Sequence, residues 1–347
     1  MKTRTLTICL AAAASLGIPA APALAQTEAA CVTVPEPVVS LSYGSRYIDD
    51  DDSRSVVDEE SEQAVNDALR PIDDFLRDLT SEANAVLRGG DDRQEKADCV
   101  VAAIAEWAEA DALSDLGTFN AGLTVGARYA GFAMAYRQVR PYSSLMAEGE
   151  AIEEWLSTRV REQMTFWEEE ATPGAKTGNL RAWAALAVNL VGDITGDDDA
   201  LFWSASSITH VMCTALDDGS LPQEMKRGNY ALHYQLHAIS PLVVTAALLE
   251  EQGLSVKDNC GDALQRIVIY ALNDIENEGA AAMEYSGKEQ SYWDGTEELE
   301  SHEMAWLEAY LTLFPDPEID AYAEQFRPLG NSKLGGSQSL LWGAPTN

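Results

Sequence analysis

Residues 151–170 read AIEEWLSTRVREQMTFWEEE. Ile152, Trp155, Leu156, Val160, Met164 and Trp167 recur at the helical period and form one broad apolar stripe. Such a stripe predicts a helix with one face in a core. The same pattern returns upstream in AVNDALRPIDDFLRDLTSEANAVLR (64–88) and DCVVAAIAEWAEADAL (98–113). Downstream it recurs in NLRAWAALAVNLVGDIT (179–195), LFWSASSITHVMCTAL (201–216), HAISPLVVTAALLEEQG (237–253) and CGDALQRIVIYALNDIENEG (260–279). Short turns such as TGDDD, DDGSLP and EQG join several of these segments, and alternating β runs are missing. The chain therefore reads as all-α, with roughly ten helices whose short connections favour antiparallel neighbours. A curved solenoid and a closed toroid of helical hairpins both fit. The lack of a strict repeat disfavours the solenoid.

The two ends read differently. Residues 1–25 have a basic start (MKTR), an apolar run and a small-residue ALA at 23–25, the layout of a secretory signal peptide. That apolar run falls short of the roughly 20 residues a membrane span needs, and no later stretch is read as reaching that length without charges. Export to the periplasm or the medium is expected, with no membrane partner after cleavage. One domain over 26–336 is expected, with an extended, proline-bearing lead at 26–55 and a tail at 337–347. The chain is expected to act as a monomer.

Fifty-seven acidic side chains against 23 basic ones give a net charge of −34. Such a field repels nucleic acid and anionic lipid, so neither is expected as a partner. An anionic ligand would need a local basic cleft. Cys31, Cys99, Cys213 and Cys260 remain after signal removal, and in an exported chain they allow three disulfide pairings. No Cys/His cluster has zinc spacing, so no metal is expected. The run HEMAW (302–306) opens like a zinc-protease motif, but Trp306 stands where the second histidine would be. No nucleophile elbow and no phosphate loop occur. Paired carboxylates for glycoside hydrolysis stay open, because so many acids offer many pairs.

The cleft candidate is PQEMKRGNYALHYQLHAISP, residues 222–241. It gathers Lys226, Arg227, Tyr230, His233, Tyr234 and His237. On one helix Arg227, Tyr230, Tyr234 and His237 fall within a wedge of about 80°, opposite Leu232, Leu236 and Ile239. Gly228 makes the angle of Arg227 the softest. A solvated face with ordinary Tyr and His packing explains the same spacing, and His233 with His237 alone is a weak metal signal.

The longer run DDGSLPQEMKRGNYALHYQLHAISPL (217–242) resembles the core motif of the periplasmic alginate lyases, the poly(β-D-mannuronate) lyases. CVTVPEP, SRYIDDDDSRS, ADCVVAAIAEWAEADAL, NLRAWAALAV, MAWLEAY and LGNSKLGG follow the family order between Cys31 and Gly336. The resemblance implies an α/α toroid and a polysaccharide lyase that cleaves a polyuronate by β-elimination, without cofactor. It also implies a Cys31–Cys99 disulfide that pins the lead to a helix. Cys213 and Cys260 gain no such support and are expected as buried thiols.

By that resemblance Tyr234 is base and acid, Arg227 supplies positive charge, and Asn179 helps neutralise the substrate carboxylate. Tyr47 falls at a tyrosine of a lid loop. Lys226, Arg181, Trp183, Tyr230 and His237 are expected to bind the anionic polysaccharide. One departure stands out: Leu180 occupies the place of the family histidine, and Arg181 follows it. The run TFNAGLTVG (118–126) also keeps little of an Asn-His-Thr-Gly-Lys motif. A lyase confined to syn elimination, with Arg181 or His237 sharing the neutralisation, fits the departure. A non-catalytic uronan-binding protein on the same fold and a glycoside hydrolase on an α/α toroid are the alternatives.

Overall fold

The computed structural model describes residues 31–343. The signal-peptide reading (1–25) and the extreme C-terminal residues lie outside that range. Among the described residues, thirteen α-helices carry the fold, and four two-residue strands decorate it.

From Cys31 onward the lead lacks helix, as expected. Its strand β1 (Ser40–Leu41) runs parallel to β2 (Asp115–Leu116). Cys31 is disulfide-bonded to Cys99, with their Cα atoms 5.8 Å apart, so the lead is stapled to a helix. Helix α1 (Glu59–Arg88) starts where Asp58 accepts a hydrogen bond from the Ser61 amide at 2.8 Å. Glu59, Glu60 and Glu62 in its first turn suit the positive end of the helix dipole. Val65, Leu69, Ile72, Leu76, Leu79, Ala83 and Val86 form its buried stripe. Gly89, at φ +81°, ends it.

Then follow α2 (Arg93–Glu109), α3 (Phe119–Thr124), α4 (Gly126–Val139) and α5 (Met146–Thr165). A π-helical turn at Phe166–Glu170 buries Trp167 completely. Helix α6 (Asn179–Thr195) is the hub, packing against α4, α5, α7 (Asp198–Met212) and α8 (Ala231–Glu251). It is apolar nearly all round, as a helix enclosed by others must be. Its approach to α4 needs Gly126: a Cβ there would lie 2.8 Å from the Ala184 Cα.

Residues 228–249 correct one expectation. They hold no Asp, Glu, Lys or Arg, and Gly228–Glu251 is long and apolar enough to cross a bilayer. Of that window 83% is buried against other helices, which accounts for its apolarity as core. Helices α9 (Asn259–Glu276), α10 (Ala280–Ser286), α11 (Leu307–Leu313) and α12 (Pro317–Ala323) continue the succession. The whole is an α/α toroid of hairpins, as expected.

Two further expectations change. Cys213 and Cys260 are not thiols but a second disulfide, with Cα atoms 5.4 Å apart. The segment from 337 is not a free tail as far as it is described. Strands β3 (Gly330–Asn331) and β4 (Gly336–Ser337) pair, and α13 (Gln338–Trp342) follows. Asn84 of α1 donates to the Gly335 carbonyl at 2.9 Å and accepts from the Ser337 amide at 2.7 Å. Gln338 is fully buried, and Ser339 donates to Glu308 at 2.6 Å.

Candidate active site

Helix α8 divides its faces as the spacing predicts. Leu232, Leu236 and Ile239 are buried in the core. His233, Tyr234 and His237 stay half-buried on the other side. Arg227 is not on the helix. It precedes a 3₁₀ turn, Gly228–Tyr230, that leads into α8. Gly228 sits at φ +57°, and a Cβ there would lie 2.5 Å from Ser55 Oγ. The turn nevertheless delivers the guanidinium: Arg227 Cζ is 3.6 Å from the Tyr234 ring centroid and 5.2 Å from that of Tyr47. Its Nη2 and Nε donate to the Arg54 carbonyl at 3.0 and 3.3 Å. No carboxylate pairs with it among the described residues.

Tyr47 comes from the loop between β1 and α1. That loop is closed by the Asp58 amide on the Arg46 carbonyl (2.8 Å) and braced by Asp51, which accepts from the Ser53, Ser55 and Val56 amides. The Tyr47 and Tyr234 hydroxyls are hydrogen-bonded to each other. Burial, and then Tyr234, push the Tyr47 phenol far above its ordinary range. Tyr47 therefore keeps its proton, and either hydroxyl can donate in the bond between the two phenols.

Asn179 opens α6 and is buried. Glu224, also buried, accepts from the Asn179 backbone amide at 2.8 Å and meets the side-chain amide at 2.9 Å. The other end of that amide lies 3.1 Å from His237 Nδ1. Trp183, four residues along α6 and so on the same face, donates its indole N–H to His237 Nδ1 at 3.1 Å. Burial, then the charges of His233, Lys333, Arg227 and Arg128, push the imidazole of His237 down to about 3. It is neutral at neutral pH. Because Nδ1 accepts from Trp183, the ring proton sits on Nε2.

Other expected residues fall outside this cluster. Arg181 is buried: it pairs with Glu168 at 2.7 Å, donates to Ser207 at 3.2 Å and lies 5.4 Å from the Trp203 ring. Its charge is already engaged, so it does not stand in for the absent histidine in this geometry. Leu180 packs beside Phe166, Trp167 and Ala171. Lys226 is exposed on the turn, with no bond to the tyrosines among the described residues. Tyr230 packs edge-on against His233, their ring centres 5.8 Å apart.

Glu224 and the partners of His233 escaped the sequence reading. Glu224 lies in the quoted motif, three residues before Arg227, where its place in the run was the available signal. His233 Nδ1 lies 3.1 Å from Glu297 and 3.5 Å from Glu303, and Tyr292 donates to Glu303. Those partners come from the loop after α10, whose pattern carried no periodic signal.

The arrangement can bind an anion against Arg227, take a proton on Tyr234 and offer N–H groups from the Asn179–His237 side. A family model described as alginate lyase matches residues 118–281. An alginate lyase of Pseudomonas syringae pv. tomato is 28% identical over 322 residues, covering 90% of this chain and 82% of the relative. One from Cobetia marina is 27% identical over 321 residues, covering 90% and 83%. Among solved structures, a variant of alginate lyase A1-III complexed with tetrasaccharide shares the fold with a TM-score of 0.75. Its identity is 21%, over 91% of this chain and 86% of that one. The structure of alginate lyase A1-III from Sphingomonas species A1 gives a TM-score of 0.72 at 21% identity, over 90% and 86%.

Proposed function

We propose that this chain, similar to alginate lyases over 90% of its length, is a polysaccharide lyase that cleaves alginate by β-elimination, favouring mannuronate units. The observation that carries the mechanism is the Arg227–Tyr234–Tyr47 cluster, in which a guanidinium with no carboxylate partner among the described residues lies against two bonded phenols.

The chemical problem is the weak acidity of a C5 proton beside a carboxylate. Arg227 and the N–H groups of Asn179 and His237 offset the carboxylate charge and the further charge that develops as the proton leaves. Tyr234 oxygen takes the C5 proton. The C5–H electrons form the C4=C5 double bond, the C4–O4 bond breaks, and O4 takes a proton from Tyr234. One residue serves as base and acid because in syn elimination both atoms lie on the same face of the sugar. That economy fits a chain with Leu180 where a second base would stand. Mannuronate and glucuronate units present the syn geometry.

The substrate is a polyanion and the protein is strongly acidic, so association depends on the local field of Arg227, with Arg128 and Lys333 close enough to bear on His237. The leader-like start supports export to the periplasm, and the chain acts as a monomer in this reading. Ultraviolet absorbance of 4,5-unsaturated uronate, followed on mannuronate-rich, guluronate-rich and glucuronate polymers, tests the proposal. A folded protein silent on all three refutes it. Equal rates on guluronate and mannuronate refute the syn restriction.

A further inference from the structure

Counting protons across Glu224, Asn179, His237 and Trp183 leaves little freedom. An indole N–H only donates, so His237 Nδ1 is an acceptor toward Trp183. The atom of Asn179 that faces the same Nδ1 at 3.1 Å must then also be a donor, because two acceptors at that distance repel. The structure places Asn179 Oδ1 toward His237 Nδ1 and Nδ2 toward Glu224 Oε2, 2.9 Å away. The two ends of an amide have the same shape, and turning it over removes the conflict at Nδ1 by putting the NH₂ on His237 and the oxygen on Glu224. An oxygen facing an oxygen at that distance needs a proton between them. The other Glu224 oxygen, Oε1, accepts from the Asn179 backbone N–H at 2.8 Å, as the carbonyl oxygen of a neutral acid does.

We propose that Glu224 is held as a neutral carboxylic acid and acts as a positioning residue: its proton orients the Asn179 amide with its NH₂ toward the cleft and His237. This rests on the lyase reading, since an NH₂ facing the cleft is what a uronate carboxylate requires. The groups bearing on Glu224 divide. Arg227, from its own turn, and the N-terminus of α6 favour the carboxylate, as does His233 of α8. Tyr234 and His237 of α8 bring no fixed charge in their neutral forms. Complete burial favours the acid and outweighs the rest, pushing the carboxyl above its ordinary range. Without that proton the amide turns over, its oxygen faces the incoming carboxylate, and Trp183 and Asn179 no longer agree on the His237 tautomer.

Glutamine copies the acid but not the carboxylate. Its Oε1 accepts from the Asn179 backbone N–H, and its NH₂ donates to the Asn179 oxygen. A carboxylate accepts from both nitrogens, which glutamine cannot do. Glu224→Ala is expected to lower turnover by about 100-fold through misplacement of Asn179, and Glu224→Gln to restore it to within about tenfold of wild type. The wild-type infrared spectrum at neutral pH should show the C=O stretch of a buried carboxylic acid, and Glu224→Gln should remove it. The infrared arm needs no activity, so it decides the protonation state even if no polyuronate is cleaved. Absence of the acid band, or a Glu224→Gln protein as impaired as Glu224→Ala, overturns the proposal.

Discussion

Arg227 and Arg181 both stood out in the sequence as cations available to an anionic ligand, and the fold treats them oppositely. Arg227 sits on an irregular turn, is hydrogen-bonded to the Arg54 carbonyl, and lies over the Tyr234 ring. Arg181 sits in the first turn of α6 and is enclosed by Glu168, Ser207 and Trp203. The difference is in what each guanidinium already holds. A charge whose field is cancelled by a neighbouring carboxylate serves the fold, and one satisfied by a neutral carbonyl keeps its field for a ligand.

The comparison breaks first at Tyr234. Tyr234→Phe keeps the ring under Arg227 and removes the reacting oxygen. Turnover should fall by about 1,000-fold or more, with an unchanged melting temperature. If absorbance at the product band still rises at the wild-type rate, Arg227 is stacked on a bystander. Arg227→Ala should lower kcat/KM by about 100-fold, and Arg227→Lys should recover little of it. A lysine ammonium cannot both cap the Arg54 carbonyl and lie flat over the phenol.

Arg181→Met is the contrasting experiment. It should leave kcat/KM within about twofold but cost about 2 kcal/mol of stability, read by denaturant unfolding. A loss of activity as large as that of Arg227→Ala would erase the distinction between the two arginines.

The smallest effect is a pH slope. His237 is held near 3 in the fold against 6.5 when unperturbed. Between those values the unfolded chain binds more protons, so acidification through that window destabilises the protein. Arg227 is one of the cations depressing His237, and Arg181 is not among them. Melting temperatures from about pH 7 to about pH 4 should therefore fall less steeply in Arg227→Ala than in wild type. Arg181→Met should keep the wild-type slope.

Much of this was legible in advance because helices write their environment at a fixed period. Leu232, Leu236 and Ile239 announced the buried face of α8, and Tyr234 and His237 the other one. Arg227 reached the predicted neighbourhood by a different route, since Gly228 at positive φ replaces the helix by a turn there. The Cys213–Cys260 bridge joins segments 47 residues apart, and no local pattern reports it. The packing of Ser337 and Ser339 escaped notice because it depends on Asn84 and Glu308, far away along the chain.

The order of apolar and polar side chains alone determined an all-α chain, the working face of α8 and the residue types gathered on it. Tertiary structure decided which of those residues are free to react. Arg181 is neutralised by Glu168, 13 positions earlier, and donates to Ser207, 26 later, while Glu224 reaches across 45 positions to hold Asn179. Period and propensity act over a few residues, whereas the cancellation of a charge and the placement of a proton depend on partners that only folding brings within hydrogen-bond distance.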